Sequence, residues 1–256
     1  MSIVFITIEG EAKREFANIL HEKTDGAVSL IIVQQRLKVT FLEKAKKFFK
    51  NWDFKSFWYS IKLTLEKDVE KALGYFRHRT SKTNKKDWPV KVIYVPYINS
   101  EVVHEELKAV SPSLMVVWGA GLLKPHIINT AEKAINLHMG YAPHYRGAVG
   151  NQFALYNDDL EKIGATIHHI NNEADAGDII ETIKADANKP IKELFKELND
   201  KAEERFLETA LKLYRGEKIE IQKQNKQEGK TYLLKDWTPY VRYSLGKKIL
   251  DLENNF

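Results

Sequence analysis

Cysteine is absent from all 256 residues. That excludes disulfides and thiolate metal sites, and it predicts a reducing, cytoplasmic setting. Long apolar runs are also missing. The opening stretch MSIVFITIEGEAKREF has no basic n-region, and its apolar run is far too short to cross a bilayer. Neither a secretion signal nor a membrane span is expected. No internal repeat, recognisable RNA-binding motif or recognisable DNA-binding motif is found, so no nucleic-acid partner is predicted.

What remains is an ordinary globular composition on a chain long enough to bury a sizeable core. The net charge of +5 is unevenly placed. Residues 36–87 carry 15 Lys/Arg against 6 Asp/Glu, a local charge of +9, which leaves −4 for the rest. Such a segment suits contact with an anion or simply a solvated helical surface.

SIVFITI (2–8), β-branched and aromatic, predicts a buried strand, EAKREFANILHEK a helix, and VSLIIVQ (28–34) a second strand. The alternation then breaks. Phe41, Ala45, Phe48, Phe49 and Trp52 share one helical stripe, and Trp58, Ile61, Leu65, Val69 and Phe76 a second. This predicts a helical insert near 40–88, docked on the body or forming a dimer face, which leaves a homodimer open. Strands are expected again at 90–97, 113–119, 134–139, 164–170 and near 177–185, with helices between them. A long helix follows, with Pro190 near its start and Gly216 past its end. Thr238 should cap a last one. The expected fold is α/β: a mostly parallel, Rossmann-like sheet with helices on both faces. Residues 1–185 form the core, and 186–256 form a mostly helical C-terminal extension. Ligands in such sheets bind beyond the carboxyl ends of the strands.

Asn136 and His138 sit at one such strand end, in AINLHMGYAPHYRG. Side chains two apart on a strand face the same way. An amide N–H and an imidazole N–H aimed at one point suit a carbonyl oxygen that gains negative charge. The next strand ends in HHINNEADAGDII, with Asp175 in a turn where Gly177 allows a tight bend. A right-handed crossover through a helix near 150–158 would set the two strand ends side by side, so that Asp175 reaches His138. His168 and His169, adjacent on a strand, face opposite ways and read as packing rather than metal ligands. No metal is expected. GAGLLK (119–124) lacks the third glycine of a dinucleotide fingerprint. Arg146 is expected to tie its own loop together rather than meet a phosphate.

NLHMGYAPHYRG (136–147), IGATIHHI (163–170) and ADAGDII (174–180), with SLMVVWGAGLLKP (113–125) upstream, strongly resemble the folate-dependent formyltransferase family. That family comprises enzymes acting on methionyl-tRNA, glycinamide ribonucleotide and nucleotide-linked amino sugars. The resemblance implies 10-formyltetrahydrofolate as formyl donor and an amine as acceptor. It implies that Asn136 and His138 stabilise an oxyanion and that Asp175 orients His138. It places the pterin against Gly119, Gly121 and Leu122 and against Ile170, Asn171 and Glu173. The family's usual Ser-Leu-Leu-Pro is here MGYAP, beside the acceptor. The segment GKTYLLKDWTP (229–239) is more similar to the amino-sugar enzymes. The expected acceptor is therefore a nucleotide-linked amino sugar destined for a surface polysaccharide. The alternative is a formyltetrahydrofolate hydrolase or a formyltransferase acting on another amine, whether tRNA-linked, ribonucleotide or peptidyl.

Overall fold

The structure, a computed structural model, describes residues 1–35, 54–80 and 87–255. The stripe Phe41 to Trp52 lies outside the described residues. The chain opens as β1 (Ile3–Ile8), α1 (Glu11–Lys23) and β2 (Val28–Gln34), with the bounds that apolar periodicity predicts. Helices α2 (Phe54–Leu65) and α3 (Lys67–Ala72) follow. Then come β3 (Val92–Val95), α4 (Glu101–Val110), β4 (Leu114–Trp118), α5 (Pro125–Ile128) and β5 (Lys133–His138). The second half holds β6 (Tyr145–Gly147), α6 (Gly150–Tyr156), β7 (Gly164–His169), β8 (Ile179–Lys184), α7 (Ile191–Tyr214), β9 (Lys230–Tyr232) and α8 (Pro239–Asn254). No helix among the described residues is long and apolar enough to cross a membrane.

Seven strands form one sheet in the order β3-β2-β1-β4-β5-β7-β8. The first five are parallel, whereas β7 runs antiparallel to both β5 and β8. The crossover expected from β5 to a parallel neighbour is therefore corrected. The chain between them makes only β6, the short α6 and turns, and it brings β7 back in the opposite direction.

Helices cover both faces, because β1, β2 and β4 carry apolar side chains on alternate sides. Phe5, Val33, Val116 and Trp118 face α1 and α7, while Val4, Ile6, Ile32 and Val117 face α4 and α5. On α7, Leu194, Phe195, Leu198, Ala202, Phe206 and Ala210 recur at helical spacing and are all buried. Phe206 stacks on Phe16 at 5.3 Å between ring centroids, and Phe16 lies 5.3 Å from Phe5. The long helix thus belongs to the main core.

Lys13 is carried into the same layer, its ammonium 3.1 Å from the Trp118 ring centroid. Burial and then the Arg79 charge push its pKa well below the ordinary value, against the pull of Glu203. Charge here is opposed by desolvation. Lys13→Met should therefore raise Tm by about 2–4 °C, a gain of about 1 kcal/mol for a chain of this size. A fall in Tm would show that the cation over Trp118 stabilises the fold.

The insert docks on α8. Arg242 pairs with Glu70 at 2.8 Å, the Tyr243 hydroxyl donates to Glu66 at 2.7 Å, and the Tyr59 ring stands edge-on to Tyr240 at 4.9 Å. The second apolar stripe does not form one continuous face. The helix breaks at Glu66, leaving Trp58 and Leu65 exposed while Val69 is buried. The Thr238 hydroxyl caps α8 by accepting from Val241 N, as expected. The C-terminal part is not helical throughout, since β9 pairs with β6 in a small second sheet.

Candidate active site

Register brings the site together. On β5 and β7, Asn136 stands opposite His168 and His138 opposite Thr166, so all four side chains share one face. Thr166 fixes the loop that leaves β5: its hydroxyl donates to Gly140 O at 2.8 Å and accepts from Ala142 N at 3.0 Å. At the far end of β7, residues 170–178 fold back over this face and deliver Asp175.

Asp175 is the hub. Its Oδ2 lies 3.2 Å from His138 Nδ1 and accepts from Gly147 N at 2.9 Å. Its Oδ1 accepts from Asn136 Nδ2 at 3.2 Å and lies 3.3 Å from His168 Nε2. Asn136 and His138 therefore do aim at one point, and that point is the Asp175 carboxylate. His138 is 6% exposed and the Asp175 side chain 17%, so these contacts are made largely out of water. Burial pushes the Asp175 carboxyl up. The His138 imidazole, the hydrogen bond and charge of His168, and the Gly147 N–H together outweigh burial and bring it down to about 2.

The two histidines are held at both ends. His138 Nε2 lies 2.9 Å from Tyr145 O. Both its neighbours, a carboxylate and a carbonyl, only accept, so an imidazole carrying N–H on both nitrogens satisfies both. His168 Nδ1 lies 2.8 Å from His169 O, and its Nε2 lies between Asn136 Nδ2 at 3.2 Å and Asp175 Oδ1 at 3.3 Å. His168 was expected to be a packing residue; the structure makes it part of the hub. Only the antiparallel pairing of β7 puts it opposite Asn136, and a parallel crossover hid that.

The turn that carries Asp175 also differs from expectation. The left-handed residue is Asp175 itself, at φ 49°. Gly177 serves close approach: a Cβ there would lie 1.7 Å from His169 O. Gly147, at φ 90°, passes so close to the C-terminal segment that a Cβ would lie 2.2 Å from Tyr232 O. Arg146 does tie its loop, donating to Pro143 O at 3.0 Å, and it also donates to Lys226 O at 3.2 Å.

The six residues implied for the pterin occupy two loops. Gly119 leaves β4 at φ 82°, Gly121 N donates to Gln34 Oε1 at 2.7 Å, and Leu122 is exposed while its carbonyl accepts from Asn99. Ile170 N pairs with Ala134 O at 2.9 Å, Asn171 Oδ1 accepts from Glu173 N, and Glu173 pairs with Lys226 at 2.5 Å. Gly119 leaves the sheet beside the end of β5, and Ile170 leaves it near the start of that strand. The loops thus depart at levels about 13 Å apart along the strand direction, at about 3.3 Å per residue.

The chain resembles known proteins in sequence and in fold. The model of the formyl transferase family, "Formyl transferase", matches residues 74–211. The chain belongs to that family. A methionyl-tRNA formyltransferase of Campylobacter jejuni is 30% identical over 148 residues, covering 56% of this chain and 48% of the relative. The chain thus aligns with about half the length of the curated relatives it matches. Among solved structures, a sugar N-formyltransferase from a Shewanella species is similar at a TM-score of 0.58 and 15% identity, covering 98% of this chain and 88% of that one. An N-formyltransferase from Helicobacter canadensis, in complex with folinic acid and dTDP-3-aminofucose, gives 0.57 at 15% identity, covering 95% and 79%. These likenesses show the shared fold.

Proposed function

We propose that this chain moves a formyl group from 10-formyltetrahydrofolate to the amine of a nucleotide-linked amino sugar. The observation that carries the reading is the convergence of Asn136 and His138 on one buried carboxylate, Asp175. Formyl transfer needs a neutral amine to attack the formyl carbon, a donor for the oxygen that becomes negative, and a base for the amine proton. The Asn136 amide and the His138 ring supply donors. Asp175, held ionised with its carboxyl at about 2, stabilises positive charge on the His138 ring, so that the ring rather than the carboxylate holds the departing proton. Each catalytic role belongs to this proposal.

The exposed loop around Leu122 and the loop from Ile170 to Glu173 are where the folate would lie. Both present backbone braced from behind, by Gln34 and Asn99 in one and by Ala134 and Lys226 in the other. For the acceptor, the support is the C-terminal segment, which packs on the site loop through β6 and β9. Solved proteins named sugar N-formyltransferases share that fold over nearly the whole of this chain.

Tetrahydrofolate release, followed by absorbance, tests the reading. The reaction is run without acceptor, with dTDP-, UDP- and GDP-linked amino sugars, and with methionyl-tRNA. Asn136→Ala and His138→Ala serve as controls, each expected to lower turnover by about a hundredfold or more. Turnover that requires an amino sugar and falls in both variants supports the proposal. Turnover with methionyl-tRNA alone moves the acceptor to tRNA. Turnover without any amine makes the chain a hydrolase. Turnover untouched by both substitutions sinks the site assignment.

A further inference from the structure

The segment between α7 and α8 runs across the site like a strap. Gln222 exchanges two backbone hydrogen bonds with Ile179, both 2.8 Å. Two residues on, Gln224 Nε2 donates to Asp175 O at 3.1 Å and to Gly177 O at 2.7 Å. Lys226 then pairs with Glu173, Glu228 O meets His144 Nδ1 at 2.8 Å, and β9 pairs with β6. The strap therefore touches the two pieces of chain that meet where Gly147 N donates to Asp175 Oδ2.

Asp175 needs such support. Its φ of 49° lies in the left-handed region, which a residue other than glycine holds only when its surroundings fix it. One amide NH2 that takes the carbonyls of both residue 175 and residue 177 fixes the peptide planes that follow Asp175 and Gly177. That sets the direction in which the Asp175 side chain leaves the backbone. Gln224 Oε1 is buried with no hydrogen-bond partner among the described residues.

We infer that Gln224 is a positioning residue, whose amide holds the Asp175–Gly177 turn so that the Asp175 carboxylate meets His138. It acts through Asp175 and does not touch substrate. The inference rests on the formyl-transfer reading for its kinetic consequence only.

The test uses the full chain with Gln224→Met, which keeps the length of the side chain and removes both donated bonds. Gln224→Glu keeps the shape and places a charge against two carbonyls; it takes over if the Met variant does not fold. Two readouts are taken. The first is the nitrogen NMR titration of His138, assigned by comparison with His138→Gln, alongside Asp175→Asn as the reference for a lost partner. Asp175 and His168 are the titratable groups that face His138. The second is formyl transfer, separated into kcat and KM. In a folded variant the His138 midpoint should move at least halfway to its value in Asp175→Asn. kcat should fall tenfold to a hundredfold, with KM for the donor within twofold. A wild-type His138 titration, or an unchanged kcat, overturns the inference. If the wild-type protein transfers no formyl group, the functional reading fails, and the His138 titration alone still decides for or against Gln224.

Discussion

Asp175→Asn should lower kcat/KM for formyl transfer by about a thousandfold, the scale expected when the charge partner of His138 is removed from the site. The asparagine keeps the shape of the side chain. It puts an NH2 where one carboxylate oxygen now sits among His138 Nδ1, Gly147 N, Asn136 Nδ2 and His168 Nε2. Whichever way the amide is turned, at least one donor faces another donor. The same variant has a pH signature. The folded Asp175 carboxyl lies at about 2, below an ordinary aspartate near 3.9. A lowered folded pKa contributes stability that is present above the unfolded value and lost as pH falls through the folded one. The wild-type protein should exceed the variant by about 2 kcal/mol at neutral pH, and the gap should narrow from about pH 4 towards pH 2. Denaturant unfolding at several pH values measures it. A constant gap would mean that Asp175 stabilises through shape rather than charge.

Gly177→Ala should cost about 3 kcal/mol or more, a drop in Tm of about 10 °C. The added methyl would lie 1.7 Å from the backbone oxygen of His169, and no rotamer change can clear a backbone atom. Either β7 or the turn must shift. His169 N donates to Asp178 O and Gly177 O accepts from Gln224, so both are tied where they are. Formyl transfer should fall with stability, because the same turn presents Asp175. Thermal unfolding and kcat, measured together, check this. A Tm within 2 °C of wild type would show that the turn relaxes freely.

The parts of this molecule that depend on local sequence are legible in it. β1, α1 and β2 fall where apolar periodicity puts them, and Thr238 caps α8 as its position before Pro239 suggests. Asn136, His138 and Asp175 could be picked out because their motifs are short and bear on chemistry. Strand direction is different. Nothing between residues 139 and 163 marks a reversal, and a short helix there reads as a crossover. The sequence therefore predicts a parallel pairing of β7 with β5, which keeps His168 out of the site, whereas the antiparallel pairing brings it in. The stripe from Trp58 to Phe76 shows the same limit: its spacing suits one helix, but the chain breaks at Glu66 and both parts meet α8. Gln224 lies in a stretch of polar residues with no periodicity, and only the folded chain shows what its amide holds.

The braces of the Asp175 turn lie some fifty residues further along the chain, which bears on how the protein is made. A nascent chain that has emerged only as far as Gly216 already carries all seven strands of the large sheet, with Asn136, His138, His168 and Asp175 among them. It lacks Gln222, Gln224 and β9. Much of the hydrophobic core can thus assemble during synthesis, short of Leu245 and Ile249 from α8, while the site waits for residues 217–254 to leave the ribosome and wrap back. A protease cut in the 217–238 segment should have a corresponding effect: a body that still melts cooperatively, with the Asp175 carboxylate no longer held in place.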